Sequence, residues 1–181
     1  MRIGFIGLGA MGMPIAANYV KAGYQVRVHN RSQGKVQEMV GRGATAGASP
    51  ADVTADADVV MTCLQGADTV SSVLCGPDGV LSAARPGLIV VDHSTIGPEP
   101  AKALATECAA RGVTYLDAPV SGAGPVAWAG NLTIMVGGDA AAVATVRPVL
   151  EKTAKQVFHT GGVGSGNITK LINNLLLNTN L

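Results

Sequence analysis

Short apolar runs rich in β-branched residues alternate along the chain with alanine-rich stretches. The runs predict strands, and the stretches between them predict helices. Strands are expected at residues 2–7, 25–30, 59–64, 88–92, 114–116, 133–136 and 156–159. Helices are expected at residues 11–22, 33–41, 50–55, 67–74, 98–110, 140–152 and 166–181.

Strand–helix alternation of this kind favours right-handed crossovers, which build a parallel sheet with helices on both faces. The predicted strands are nearly continuous apolar runs, as expected of strands that are covered on both faces. The pattern therefore predicts an α/β fold with a doubly wound, mostly parallel sheet.

The composition excludes several classes of protein. The chain has 181 residues, of which 48% are hydrophobic and 14% charged, so it can bury a core and is not disordered. The net charge is +1, with acidic and basic residues interspersed, which argues against a nucleic-acid partner. No run of about 18 apolar residues occurs, so we expect no membrane span.

The cysteines and histidines form no recognisable metal pattern. Cys63, Cys75 and Cys108 are widely spaced and include no C-x-x-C pair, so neither a structural zinc nor a disulfide framework is expected. Reduced thiols favour a cytoplasmic protein. The apolar start of the chain superficially resembles a signal peptide, but its glycines have a better explanation.

Those glycines, Gly7, Gly9 and Gly12, form a G-x-G-x-x-G motif directly after an apolar strand and at the start of a helix. This context is typical of the Rossmann dinucleotide-binding turn, in which a diphosphate rests against the helix N-terminus. We therefore expect cofactor contacts from the three glycines and from Leu8, Ala10 and Met11. The alternative is a structural glycine turn in another α/β fold.

The end of the second strand bears on the choice of cofactor. Rossmann domains that prefer NAD carry an acidic residue here for the adenosine ribose. This chain instead has Asn30, Arg31 and Ser32, and an arginine can pair with a 2′-phosphate. The pattern favours NADP, while a solvated Arg31 beside a ribose that accepts either cofactor remains the alternative.

Two later strands should end at the same edge of the sheet, where ligands bind in doubly wound folds. Leu64 and Gln65 follow one of them, and Thr95 follows the next. Thr95 could hydrogen-bond the nicotinamide ribose. A helix N-cap role for Ser94 or Thr95 is the alternative.

Four blocks carry a resemblance to a known family: GFIGLGAMGMPIAANYV, DHSTIGPE, DAPVSGAGPVAWAGNLTIMVGG and GGVGSGNITKLINN. On these blocks the chain resembles the β-hydroxyacid dehydrogenases, a family that includes 3-hydroxyisobutyrate dehydrogenase, tartronate semialdehyde reductase, glyoxylate/succinic semialdehyde reductase and 6-phosphogluconate dehydrogenase. The resemblance covers essentially all 181 residues. It implies that Asn30, Arg31, Leu64, Gln65 and Thr95 contact the cofactor.

The same resemblance implies the site for chemistry. Lys170 corresponds to the catalytic lysine of the family and Asn174 to a substrate-binding asparagine, while Ser121 and Gly122 correspond to the loop that holds the substrate carboxylate. Lys170 and Asn174 are four residues apart and share a helix face. A positioned ammonium can protonate the oxygen that receives negative charge during hydride transfer. From spacing alone, a solvated helix lysine is the more common interpretation.

The chain also departs from the family pattern. Ala123 replaces a second glycine, and Pro125 and Trp128 follow where small or polar residues are usual, so the loop shape and substrate size are open. Trp128 either packs against other side chains or lines the substrate pocket. Asn167 stands where 6-phosphogluconate dehydrogenases tend to have histidine, which disfavours that branch.

The resemblance further implies two parts, a cofactor domain over residues 1–163 and, over residues 164–181, the start of the long helix of an all-helical C-terminal domain. That domain would form a homo-oligomer, and a chain ending at residue 181 would lack it. The expected function is NADP(H)-dependent interconversion of a short 3-hydroxyacid and its semialdehyde, with NAD as a possible cofactor. A non-catalytic dinucleotide-binding module and an imine-type reductase are the alternatives.

Overall fold

The structure is a computed structural model that describes residues 1–179, so the last two positions of the predicted helix 166–181 lie outside the described residues. The strands are β1 (Arg2–Ile6), β2 (Gln25–His29), β3 (Thr45–Ala46), β4 (Val59–Thr62), β5 (Ile89–Asp92), β6 (Thr114–Asp117), β7 (Val120–Ser121), β8 (Leu132–Gly137) and β9 (Ala154–Gly161). The helices are α1 (Gly12–Lys21), α2 (Gln33–Gly41), α3 (Pro50–Thr54), α4 (Ala67–Cys75), α5 (Val80–Ala83), α6 (Pro98–Ala109), α7 (Gly124–Trp128), α8 (Ala140–Leu150) and α9 (Ser165–Thr179).

The strands described form one sheet in the order β3-β2-β1-β4-β5-β6-β8-β7, with β9 also paired to β8. Strands β1 to β6 pair in parallel, whereas β8 runs antiparallel to β6 and β7. The chain winds outward from β1 in one direction and from β4 in the other, so the strand order switches between these two strands. The prediction of a Rossmann-like, mostly parallel sheet is confirmed.

Alternate residues of the strands face two separate hydrophobic cores. In β4, Val59 and Met61 belong to the core under α1, α2, α7 and α8, while Val60 belongs to the core under α3, α4, α5 and α6. Because both faces of the sheet are covered, all four residues of β4 are buried. This is why the strands are apolar throughout rather than alternating with polar residues.

Four short elements were not predicted: β3, α5, β7 and α7. Each has two to five residues, too few for a recognisable period. Two of them change the site. Ser121, expected in a loop, lies in β7 and pairs with Thr133 of β8, and Pro125 lies in the first turn of the short helix α7.

A buried polar clamp joins the start of α9 to two strand ends. The Asp117 carboxyl, at the end of β6, accepts hydrogen bonds from the N–H groups of Gly164 (2.7 Å) and Asn167 (2.8 Å) and from the Asn167 side-chain amide (3.1 Å). The Asn167 side-chain oxygen in turn accepts from the N–H groups of Ile96 (2.9 Å) and Gly97 (3.0 Å). Asp117 and Asn167 have no exposed surface, so these bonds have no competition from water.

Replacing Asp117 by alanine should lower the free energy of unfolding by about 3 kcal/mol, because it leaves buried donors without an acceptor. Urea denaturation followed by circular dichroism measures the loss. The matched control is Asp58→Ala, which removes an exposed carboxylate paired with Arg2 and should cause a much smaller loss. Equal losses in the two variants would contradict a structural role for the clamp.

Candidate active site

Two adjoining cavities lie at the carboxyl edge of the sheet, where the strand order switches. The first, which we call the Lys170 cavity, has a volume of about 480 Å³ and is lined by residues 9–12, 63–66 and 93–95 with Val120, Gly122 and Lys170. The second, the Arg31 cavity, has a volume of about 580 Å³ and is lined by Ile6, Gly7, residues 29–32, Lys35, Thr69 and Val73. Gly9, Ala10 and residues 63–65 line both cavities. A further cavity of about 610 Å³ lies at the opposite edge, near Arg2 and Gln25, away from every predicted site residue.

The glycine turn between β1 and α1 has a separate reason for each of its glycines. Gly7 has φ of 100°, a conformation that favours glycine, and a Cβ on Gly12 would collide with the carbonyl oxygen of Gly7. A Cβ on Gly9, by contrast, would meet no protein atom within 4 Å. Gly9 is therefore not required by packing, and the open space beside it leaves room for the close approach of a ligand, as in Rossmann turns.

Backbone donors are available at this turn. The N–H groups of Gly9, Ala10 and Met11 have no acceptor within residues 1–179, and α1 has no acidic residue in its first turn. A helix N-terminus with free N–H groups attracts anions. Leu8 differs, because its N–H donates to the side-chain oxygen of Asn30 at 2.9 Å and its side chain is fully buried.

Asn30 therefore shapes the turn. Its side-chain amide donates to the backbone oxygen of Ser32 at 3.2 Å, so both ends of the side chain bind the protein itself. Asn30 thus has a structural role in the turn, and its expected contact with a cofactor stays a prediction. Arg31 and Ser32 are exposed and line the Arg31 cavity, as predicted from their position after β2.

A second cation in the Arg31 cavity was missed from sequence. Lys35, in the first turn of α2, lines the cavity with Arg31, and neither forms an ion pair within residues 1–179. Lys35 could have been identified from sequence, because it lies four residues after Arg31. Two residues with this spacing at the start of a helix project from the same side of it. The two cations can together attract a multiply charged anion.

The end of β5 is held by the buried carboxyl of Asp92. It accepts hydrogen bonds from Thr62 Oγ1 (2.8 Å), the Ser94 N–H (2.9 Å) and Tyr115 OH (2.8 Å). Burial raises the pKa of Asp92, and these donors oppose the rise. Ser94 Oγ then accepts from the Leu64 N–H at 2.9 Å, so the ends of β4 and β5 are tied together.

The alternative that Ser94 or Thr95 is a helix N-cap is wrong. Gly97 stands at the N-cap of α6. Thr95 is exposed and lines the Lys170 cavity beside Leu64 and Gln65.

Lys170, in the second turn of α9, is half-buried and lines the Lys170 cavity. Its side-chain amine makes no hydrogen bond or ion pair within residues 1–179, and burial lowers its pKa from the ordinary lysine value. The cavity thus places an amine that gives up its proton more readily than usual in the same space as the free amides of the glycine turn.

Of the other residues predicted to bind substrate, only some line the Lys170 cavity. Gly122 lines the Lys170 cavity, whereas Ser121 Oγ accepts a hydrogen bond from the side-chain amide of Asn173 at 3.2 Å. Asn174 is half-buried on α9, one turn after Lys170. Asn173 was missed from sequence, although its spacing of three from Lys170 places it near the same helix face.

The substituted loop after Gly122 faces outward. Trp128 is 44% exposed, and the Arg42 guanidinium lies 4.9 Å from the centroid of its ring. This is a cation–π contact on the surface, between α7 and the end of α2. Trp128 lines none of the three cavities described above.

His93 is a buried titratable side chain that lines the Lys170 cavity. Its Nδ1 lies 2.8 Å from the carbonyl oxygen of Ala118, and its Nε2 has no hydrogen-bond partner within residues 1–179. Burial lowers the pKa of His93 to about 4. The ring is therefore neutral near neutral pH.

Within residues 1–179, no helix has the length and apolar character needed to cross a membrane. No group of three or more histidine, cysteine and acidic side chains is arranged to hold a metal ion in that part of the chain.

Comparison with known proteins identifies relatives of the whole chain. Residues 2–161 match the family described as the NAD binding domain of 6-phosphogluconate dehydrogenase. The 2-(hydroxymethyl)glutarate dehydrogenase of Eubacterium barkeri is 42% identical over 181 residues, which is 100% of this chain and 60% of that protein. The NAD-dependent L-serine dehydrogenase of Pseudomonas aeruginosa is 43% identical over 97% of this chain and 59% of that protein.

A solved structure is also similar to nearly the whole chain. The structure of Mycobacterium tuberculosis 3-hydroxyisobutyrate dehydrogenase with L-serine superposes with a TM-score of 0.92 and 38% identity, covering 98% of this chain and 60% of that one. The chain therefore spans about 60% of the length of the relatives it matches.

The buried His93 should make stability depend on pH. An unfolded histidine titrates near 6.5 and the folded ring near 4, so between these values the unfolded chain binds more protons and stability falls as the pH falls. His93→Gln removes the titrating side chain, and with it this dependence of stability on pH. Between about pH 7 and about pH 4.5 the wild type should lose about 2 kcal/mol more than the variant in urea denaturation. Parallel losses would mean that His93 is not held neutral.

Proposed function

This chain belongs to the β-hydroxyacid dehydrogenase family, and from that membership we propose that it supplies the cofactor-binding part of an NADP(H)-dependent oxidoreductase. The enzyme interconverts a short 3-hydroxyacid and its semialdehyde by hydride transfer. One observation carries the proposal: Lys170, without a partner in residues 1–179, lines the same cavity as the free amides of the glycine turn.

The residues present fit a nicotinamide dinucleotide. The free N–H groups of Gly9, Ala10 and Met11 at the N-terminus of α1 would hold its diphosphate. Leu64, Gln65 and Thr95 would line the path from the diphosphate to the ring. The open space around Gly9 leaves room for a close approach that a side chain would prevent.

The preference for NADP rests on Arg31 and Lys35. Both lack an ion-pair partner within residues 1–179 and line the Arg31 cavity, where they would meet a 2′-phosphate, and Ser32 would add a hydroxyl donor. A carboxylate at this position would repel that phosphate, and residues 30–32 contain none. One relative, the L-serine dehydrogenase of Pseudomonas aeruginosa, is NAD-dependent, so the preference of this chain needs a direct comparison of the two cofactors.

The bound nicotinamide would supply or accept the hydride, and the protein would handle the proton. In reduction, the Lys170 ammonium donates a proton to the substrate oxygen as negative charge develops on it, and in oxidation the neutral amine removes that proton. Burial lowers the pKa of Lys170, so the amine releases its proton more readily than an exposed lysine does. Ser121, Gly122 and Asn174 would hold the substrate carboxylate, with Asn173 orienting the Ser121 hydroxyl.

We also propose the division at residues 163 and 164, with α9 as the start of a helical region that forms a homo-oligomer in a cytoplasmic enzyme. Large apolar side chains of α9 are exposed, including Ile172 (53%) and Leu175 (62%). Exposed apolar surface of this kind is typical of a face that further structure covers.

Two alternatives predict different outcomes. A non-catalytic dinucleotide-binding module would bind the cofactor without turnover, and an imine-type reductase would reduce cyclic imines but not semialdehydes. The retained lysine in the Lys170 cavity favours the hydroxyacid dehydrogenase.

Removing Arg31 should weaken NADPH binding selectively. Arg31→Ala is expected to raise the Kd for NADPH by about 5- to 100-fold, the effect of losing a charge-assisted hydrogen bond, and to leave the Kd for NADH nearly unchanged. Quenching of protein fluorescence or calorimetry measures both constants. The control is Arg42→Ala, which removes an arginine directly after α2 and outside the Arg31 cavity; because Arg42 contacts Trp128, calorimetry is the measurement for this variant. Equal weakening of both cofactors by Arg31→Ala would exclude a 2′-phosphate role.

Lys170→Ala should lower kcat in the complete protein by about 10²- to 10⁴-fold, the usual contribution of a general acid or base. NADPH oxidation with a panel of short semialdehydes is the assay, and the Kd for NADPH should change by less than about threefold because the proposed role is proton transfer. Lys102→Ala removes an exposed lysine of α6 and should be silent. A rate within a few-fold of wild type would end the proposed mechanism.

A further inference from the structure

The Nε2 atom of His93 is a buried hydrogen-bond acceptor that has no role in the proposed mechanism. His93 follows β5, is 2% exposed, and is one of the residues that line the Lys170 cavity. Its Nε2 is buried and has no hydrogen-bond partner within residues 1–179. A buried polar atom without a partner is unfavourable, so it indicates a group that binds there.

The protonation state of the ring follows from its other nitrogen. Ala118 offers a carbonyl oxygen, which can only accept, so His93 Nδ1 carries the proton and donates it at 2.8 Å. The His93 backbone N–H donates to the carbonyl oxygen of Thr62 at 2.8 Å, which fixes the start of the side chain as well. With the ring neutral, Nε2 holds a lone pair and requires a donor.

We infer that Nε2 of His93 accepts a hydrogen bond from the carboxamide N–H of the nicotinamide. This inference rests on the proposed function, because it requires a nicotinamide dinucleotide in the Lys170 cavity. Gly9, Ala10 and Met11 line that cavity at one end of the proposed cofactor path, and Lys170 lines it where hydride transfer would occur. The reactive ring belongs near Lys170, and its carboxamide is the ring's own hydrogen-bond donor.

The neighbouring side chains leave this role to His93. Ser94 Oγ is already bonded to the Leu64 N–H, and Asp92 has three donors of its own. Thr95, exposed two residues later, is the side chain proposed for the ribose. His93 would thus fix the rotation of the nicotinamide ring, and with it the face that is presented to the substrate.

The test removes the acceptor from the protein and the donor from the ligand. His93→Phe has no acceptor, while His93→Gln restores one on a flexible side chain. The ligands are NADP⁺ and its 3-acetylpyridine analogue, in which a methyl group replaces the carboxamide NH₂, with the corresponding NAD⁺ pair measured in parallel by calorimetry. Thermal unfolding without ligand shows that each variant is folded.

We expect His93→Phe to weaken binding of the carboxamide cofactor by about tenfold and to leave the acetylpyridine analogue within about twofold. His93→Gln should recover most of the loss. The ¹⁵N resonance of His93 Nε2 should move upfield when NADP⁺ binds to the wild type and should not move with the analogue.

Equal losses for both ligands would overturn the inference, since they would reflect ring size or a bound water instead of the carboxamide. No loss for either ligand would overturn it as well. If the folded wild type binds neither dinucleotide pair, the proposed function itself fails, and that outcome is distinct from the other two.

Discussion

The site depends on one buried interaction, the clamp that the Asp117 carboxyl and the Asn167 side chain form between the end of β6, the first turn of α9 and the loop that follows β5. A helix that carries a reactive lysine is useful only if its position is fixed relative to the sheet. The clamp uses N–H groups at the helix start, which have no partner within the helix, and satisfies them with a carboxyl from the sheet. Because it is fully buried, shifting α9 would expose several unsatisfied polar groups at once.

Polar groups at the ligand edge fall into two sets. One set is satisfied within the protein and shapes the edge: Leu8 with Asn30, Leu64 with Ser94, and Asp92 with its three donors. The other set has no partner in residues 1–179: the amides of the glycine turn, the Nε2 atom of His93 and the Lys170 amine. The first set gives the edge a rigid outline and the second presents donors, an acceptor and an amine to the cavity. This division is consistent with a site that is formed before its ligand binds.

Much of this site could be predicted, because local patterns carried it. The glycine turn was predicted from a strand, a glycine motif and a helix start that lie close together in the sequence. The absence of an acidic residue after β2 is seen directly in residues 30–32. The resemblance predicts a cofactor contact for Asn30, whereas the bonds of its side chain to Leu8 and Ser32 became visible only in the structure. Lys35 and Asn173 were missed although their spacing from Arg31 and Lys170 is visible in the sequence. The free acceptor of His93, by contrast, depends on which groups lie opposite it across the fold.

The sequence alone determined the class of fold, the place of the phosphate turn and the family, because apolar runs, glycines and short motifs act over a few neighbouring residues. Only the tertiary structure decided which polar groups are already satisfied. A hydrogen bond such as that between Asp117 and Asn167 joins residues 50 positions apart, and no local pattern records it. Burial has the same origin: whether Lys170 or His93 keeps its ordinary pKa depends on the strands and helices that surround it, which the chain brings together only on folding.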